Sequence, residues 1–282
     1  VDVQYRVQYR AEAAIPDATE HSAPMNRSLL ALPLVFIAGA AFAQDASKLR
    51  VEGTQFVLYQ TNGRILRSAD LVGAELDLGD GNALRIESVR KDPDDPTGQI
   101  FLHRLSQRSG DGAWTEACEA DRSGNHEGFP IAGRWVDGRY RADASHFAMS
   151  CTGGAQAKCV RWGYKPWANA PDGTPMAAHY EACVHMVRAD YCGDGTATTK
   201  EGTAIDIYDR NGVQQPAGGD DFRFEAGWGP TGAVCVNHPR IAQNLDLEQL
   251  AARCPRLADK LGQRCDEAAA TAAGAVLFNR SH

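Results

Sequence analysis

Apolar and polar residues alternate through much of Lys48 to Trp114, and the alternation predicts short β-strands. Gln55 to Gln60 runs into Thr61-Asn62-Gly63, and Asn-Gly suits a tight hairpin. Leu76-Asp77-Leu78 leads through Gly79-Asp80-Gly81 to Leu84-Arg85-Ile86-Glu87-Ser88-Val89, the pattern of half-exposed strand. Ile100 to Leu105 predicts another strand, after a loop from Lys91 to Gly98. Asp121 to Asp143 is polar and glycine-rich, which predicts a loop with one hairpin around Arg134 to Arg141. His146 to Cys151 and Cys159 to Trp167 predict two further strands, the second ended by Pro166.

The period changes after Pro175. Tyr180, Val184, Val187 and Tyr191 fall at i, i+4, i+7 and i+11, which predicts a helix over 175–191 with one apolar stripe. Thr174-Pro175 supplies a start and Gly193 a left-handed stop. Ala204 to Tyr208, Phe222 to Glu225 and Gly232 to Val236 predict strands. Leu247, Leu250, Ala251 and Cys254 mark an amphipathic helix that Pro255 interrupts. The alanine-rich stretch Asp266 to Phe278 predicts a last helix. The expected fold class is α+β: a β-rich N-terminal part of short antiparallel strands, then a disulfide-stapled mixed β/helical part.

Composition adds a compartment and removes some partners. The chain has 282 residues, enough for one or two domains, and a net charge of −7 without a Lys/Arg run. That balance disfavours a nucleic-acid or anionic-membrane binder, which needs a basic footprint. Met25 to Ala43 has a basic start at Arg27, an apolar run from Leu29 to Ala40 and the small-x-small triplet Ala41-Phe42-Ala43. This is the pattern of a Sec-type signal peptide cleaved before Gln44, leaving a periplasmic or secreted protein without a membrane anchor. Residues 1–24 are then expected to be a misassigned extension, with translation starting at Met25.

All eight cysteines, Cys118, Cys151, Cys159, Cys183, Cys192, Cys235, Cys254 and Cys265, follow that cleavage point. An even count in an exported chain reads as disulfides. Cys183 and Cys192 are about 13 Å apart on one helix, too far to bridge. Cys254 and Cys265 meet the same objection if the chain between them is helical. Cys151 and Cys159 flank a turn-forming Thr152-Gly153-Gly154-Ala155 that allows a bridge across a hairpin. No C-x-x-C occurs, so no zinc site is expected, and no cofactor.

At Ala189-Asp190-Tyr191-Cys192 the chain resembles the ADYC-domain family of bacterial proteins. Arg188 precedes these letters and Gly193-Asp194-Gly195 follows them. Lys158 to Trp167 and Gly232-Ala233-Val234-Cys235 extend the resemblance over about 145–245. It implies an exported bacterial protein and carries over no catalytic residue. The expected division is a β-rich region 44–144, an ADYC-like domain 145–245 and C-terminal helices over 246–282 packed on it.

Three roles for the motif follow from its chemistry. In the last turn of a helix the Asp190 charge opposes the helix dipole, which calls for a partner among Arg161, Lys165, Arg188 and Arg240. Tyr191 would then be core and Cys192 half of a disulfide. Alternatively, Asp190, Asp194, Asp206 and Asp209 could gather oxygen ligands for Ca²⁺. Trp162, Tyr164, Trp167 and Trp228, with Lys165, could form a face for stacking on sugar rings. No Gly-x-Ser-x-Gly, His-Glu-x-x-His or phosphate-binding glycine loop is present. The expected function is a non-catalytic binding or structural module of the cell envelope or extracellular space, for an unidentified ligand there. The alternative is an unrecognised periplasmic or secreted hydrolase, which needs two of Asp190, Asp194, His185 and His238 to meet in one pocket.

Overall fold

The computed structural model describes residues 48–218 and 221–282. The predicted signal segment Met25–Ala43 and the residues before it lie outside the described residues. The chain opens as a meander of β1 (Lys48–Glu52), β2 (Gln55–Tyr59) and β3 (Ile65–Arg67). β4 (Glu75–Gly79), β5 (Asn82–Lys91) and β6 (Phe101–Arg108) follow as antiparallel neighbours. Two-residue β7 (Thr115–Glu116) pairs with β6, and β8 (Glu127–Ala132) joins β6 on its other flank. A hairpin of β9 (Arg134–Val136) and β10 (Arg139–Arg141) precedes β11 (Phe147–Cys151), which closes the order β11-β8-β6-β5-β4.

Helices α1 (Ala155–Arg161) and α2 (Ala177–Arg188) come next, then β12 (Asp206–Asp209), β13 (Arg223–Gly229) and β14 (Gly232–Val236). Short α3 (Leu247–Arg253) and α4 (Glu267–Ala272) lead to the terminal strand β15 (Leu277–Ser281). β15 inserts between β12 and β13, giving the second sheet the order β12-β15-β13-β14. The fold class is α+β with antiparallel sheets. No helix among the described residues is long and apolar enough to cross a membrane.

Two cores share the first sheet. Leu84, Ile86 and Leu105 pack with Phe56, Leu58 and Leu66 of the meander. Leu102, Phe129 and Ile131 pack instead with α1, α2 and the second sheet. The expected boundary at 144/145 therefore falls between two strands of one sheet, because β11 pairs with β8 along its whole length.

Three stretches differ from expectation. Cys159 to Trp167 is not a strand: Ala157, Val160 and Tyr164 are buried at i, i+3 and i+7, a helical period hidden by the brevity of α1. Asp121 to Asp143 conceals β8, whose Gly128 and Pro130 mask a buried Phe129 and Ile131. A Cβ on Gly128 would meet the Ser150 carbonyl oxygen at 2.6 Å, so the close approach of β11 requires glycine there. Asp266 to Phe278 is helical only to Ala272. Gly274, with φ of 86°, ends α4 in a Schellman pair, Gly274 N to Thr271 O and Ala275 N to Ala270 O, and frees Leu277 and Phe278 to extend.

His103 lies fully buried in the first sheet, its Nε2 2.7 Å from Ser68 Oγ and its ring edge-on to Phe56. Burial pulls its pKa down to about 4, against the opposing effect of the Phe101 and Gly128 backbones. The unfolded chain takes up this proton near 6.5, so the stabilisation is complete above that pH and is lost as pH falls from 6.5 towards 4. The expected loss is about 3 kcal/mol in urea unfolding. His103→Gln, which keeps a partner for Ser68, should flatten the slope across that window; an unchanged slope would refute the assignment.

Candidate functional site

The site forms where α2 ends. Its apolar stripe is seated by Tyr180, Val184 and Met186, and Cys183 is tied to Cys159 of α1 with Cα atoms 5.8 Å apart. Met176 takes the N-cap position, so Thr174-Pro175 lies just outside the helix and does not start it. At the other end Ala189, not Gly193, takes the left-handed position, with φ of 49°. Ala189 N donates to Met186 O and Asp190 N to His185 O, again the Schellman pattern. Alanine costs roughly 1 kcal/mol more than glycine in this conformation, and here its methyl is fully buried in the core.

Asp190 is therefore beyond the helix, yet its carboxylate lies against the last turn, so its charge still needs partners there. Its carboxylate turns inward and is almost fully buried. Oδ1 accepts from the backbone of Gly193 at 2.9 Å and Asp194 at 3.2 Å. Oδ2 accepts from Gly195 N at 2.8 Å and from His185 Nδ1 at 2.9 Å. None of the four expected cations is its partner. Arg161 forks onto Asp92 and reaches Asp94, Lys165 faces Asp95, Arg188 donates to Gly195 O, and Arg240 holds Glu225. Backbone N–H groups supply what a side-chain cation was expected to supply.

Tyr191 is core, as expected, and also polar at its tip. Its ring stacks on Trp228 at 5.2 Å, its hydroxyl donates to Glu225 Oε1 at 3.0 Å, and it accepts from Arg240 N at 2.8 Å. Burial pushes the phenol far above its usual range, and the Glu225 charge adds to this. Arg240 meets Glu225 with two 3.0 Å bonds and caps the last carbonyls of α2, Met186 O at 2.8 Å and Val187 O at 3.2 Å. Asn279 of β15 donates to Glu225 Oε2 and accepts from Trp228 Nε1. Cys192 bridges to Cys254. A Cβ on Gly193 would stand 2.1 Å from Thr231 O, so this glycine serves loop-to-loop contact.

The other bridges join Cys118 to Cys151 and Cys235 to Cys265. The Cys151–Cys159 bridge is thus corrected: α1 carries Cys159 onto α2 instead of returning it along β11. The aromatic face is also corrected. Tyr164 and Trp228 are 0% exposed, Lys165 is buried against Asp95, Trp162 is half-buried, and Trp167, at 39%, is the exposed member. Tyr164 donates instead to Asp209 Oδ2 at 2.8 Å.

The four aspartates do not converge. Asp194 pairs with Arg253, Asp206 accepts from Ala217 N, and Asp209 accepts from Asn211, Val213 and Gln214. No group of three His, Cys, Asp or Glu side chains among the described residues is placed to hold a metal ion.

Of the four acid–base candidates only His185 and Asp190 meet. His238 lies instead by Ser281, 3.2 Å away. The pair forms part of the wall of a cavity of about 430 Å³ between the β9–β10 hairpin, β11, α1 and the end of α2. Trp135, Ser150, Gln156 and Arg188 also line it. Trp135 packs edge-on against the His185 ring, centroids 6.0 Å apart. His185 is 2% exposed, and its Nε2 has no hydrogen-bond partner among the described residues. An imidazole whose Nδ1 is held by a carboxylate offers Nε2 to whatever enters, as a hydrogen-bond acceptor or a general base. Sequence spacing could not reveal Trp135, Ser150 or Gln156, which come from three separate elements.

Asp190→Asn would set an amide N–H₂ against donors at Gly195 and His185. It should lower unfolding free energy by about 2–3 kcal/mol, and Tyr191→Phe, which leaves Glu225 with Arg240 and Asn279, by about 1 kcal/mol. Chemical denaturation checks the order; an Asp190→Asn protein as stable as wild type would contradict the buried-carboxylate role.

The family model of the ADYC domain matches residues 68–242. It reaches back through the first sheet and is not confined to 145–245. No curated protein and no solved structure matches the chain.

Proposed function

The chain belongs to the ADYC domain family, and from that footing we propose that it is an exported, disulfide-bonded bacterial protein serving as a non-catalytic binding or structural module in the cell envelope or outside the cell. The observation that carries this reading is the pairing of all eight cysteines in four bridges. Such a set persists in a non-reducing compartment. The signal-like pattern of Met25 to Ala43 supports the same compartment. The acidic charge points away from nucleic acid and from anionic membrane surfaces. The motif supports a module because each of its four residues serves the fold, as helix stop, buried carboxylate, core phenol and covalent bridge.

A second reading, a periplasmic or secreted hydrolase, is favoured by the 2.9 Å contact of His185 with Asp190 at a cavity wall. It would use His185 Nε2 to take a proton from an attacking hydroxyl or water.

Expression of residues 25–282 in a bacterial host, with intact mass and thiol alkylation, tests the first reading. The expected product begins at Gln44, is found outside the cytoplasm, labels no thiol before reduction and labels eight after it. Several free thiols in the native protein, or an uncut cytosolic chain, would overturn it. Ester, amide or glycoside hydrolysis that is lost in His185→Gln and kept in His238→Gln would replace the module with the hydrolase.

A further inference from the structure

We infer that the cavity at the end of α2 binds a small hydroxylated carboxylate of the sugar-acid class, placing a hydroxyl on His185 Nε2 and the carboxylate on Arg188. The inference rests on the binding-module reading and adds a ligand class to it.

The argument starts from the unpartnered nitrogen. A buried polar atom without a partner forfeits its hydrogen bonds to water and gains none, so each one in a folded protein calls for an explanation. His103 and His179 also leave a ring nitrogen unpartnered among the described residues, but neither lines this cavity. His185 does, and it alone of the three is held from its far side by a carboxylate. Asp190 is itself fixed by three backbone N–H groups, so ring orientation and tautomer are set before any ligand arrives. Because Asp190 accepts at Nδ1–H, Nε2 of the neutral ring is an acceptor, and its complement is a ligand O–H.

The charge of the wall selects the second group. Asp190 spends its lone pairs within the protein. Arg188 is the one Lys or Arg among the described residues that lines the cavity, and it donates to Gly195 O at 2.5 Å, which leaves the rest of its fork for an anion. Gln156 accepts from Tyr180 at 3.2 Å through Oε1, leaving its amide N–H₂ as a donor. One acceptor and three donors, the third being Trp135 Nε1, likewise unpartnered among the described residues, suit a single ring bearing hydroxyls and a carboxylate, and 430 Å³ is a volume for a ligand of that size.

Nε2 has essentially no solvent-exposed surface, and Trp135 lies edge-on against the ring. A hydroxyl therefore reaches Nε2 only when a wall side chain shifts, and Trp135, packed against the His185 ring, senses that shift, so binding should change tryptophan fluorescence.

The test titrates the full folded chain with glucuronic acid and N-acetylmuramic acid, and with neutral glucose and N-acetylglucosamine, by calorimetry and fluorescence. The acids should bind at least about tenfold more tightly than the neutral sugars, and Arg188→Met should remove about that factor for the acids alone. Trp135→Phe should abolish the fluorescence change. His185→Gln should weaken whichever sugars bind; since it disturbs Asp190, the partly exposed Arg188→Met carries the decision if the glutamine variant fails to fold. Equal binding of acids and neutral sugars, or Arg188→Met binding acids like wild type, overturns the ligand class and leaves the module reading standing. No binding of either acid at millimolar concentration also overturns it, whereas the module reading itself falls to the thiol and localisation result.

Discussion

A helix that ends inside a protein must have its last carbonyls answered there, and α2 ends inside this one. Thr198 N donates to the last of them, Arg188 O, at 3.0 Å, and two devices answer the three before it. The Schellman reversal at Ala189 turns the His185 and Met186 carbonyls onto backbone donors, and the Arg240 guanidinium takes Met186 and Val187. The reversal fixes where the next three residues go. Asp190 swings back under the helix, the Tyr191 ring packs on Trp228 of the second sheet, and Cys192 bridges to Cys254 at the end of α3. The motif is therefore one event, a buried helix stop, written as four side chains.

Burying charge at that stop raises a question of sign. Glu225 with Arg240 is a fully buried pair, and desolvation can cancel the attraction in such pairs. Here most remaining sites of the pair are used: Glu225 also takes Tyr191 and Asn279, and Arg240 also donates to two carbonyls. The network joins α2, β13 and β15, and its value lies in fixing one relative placement of the three. Asp190 differs in kind. Its charge is met by backbone dipoles of the loop it begins, so carboxylate and loop order each other. His185 inherits its orientation from that loop, and this makes a rigid acceptor at the cavity wall.

The sequence was most legible where period and chemistry agreed. The first meander and β4 to β6 show short apolar or alternating runs between turn residues, and the apolar stripe of α2 identifies its buried face. The pairing of cysteines into bridges also followed from count and context. Short segments were less legible. α1 has two turns, too few to tell its period from a strand, and that error led directly to the wrong partner for Cys159. β8 carries a glycine for a reason that lies in its neighbour β11, not in itself. At the site, Asp190, Tyr191 and Cys192 could be singled out, but their partners could not. Charge arithmetic proposes lysine and arginine, whereas backbone N–H groups, present at almost every residue, leave no compositional trace. The cavity was equally hidden, because it is made by a hairpin, a strand and two helices whose side chains share nothing but position.

The matched family region ends at 242, yet the structure around the motif does not. Tyr191 shares Glu225 with Asn279, which lies on the central strand β15 of the second sheet, well beyond that limit. Cys192 and Cys235 close their bridges on Cys254 and Cys265, also beyond it. Closing the 62-residue loop of Cys192–Cys254 removes unfolded-chain entropy of about 4 kcal/mol in the loop-closure picture. Such a bridge acts by restricting the unfolded ensemble, so it helps most where the native contacts it joins are far apart in the chain. That is the case here: the motif near 190 needs a strand near 280 to complete its hydrogen bonds. A strand that follows its sheet neighbours in sequence yet lies between them cannot pair until the chain as far as Ser281 is available. The two C-terminal bridges are then the covalent counterpart of a polar network that could not otherwise be assembled from local sequence.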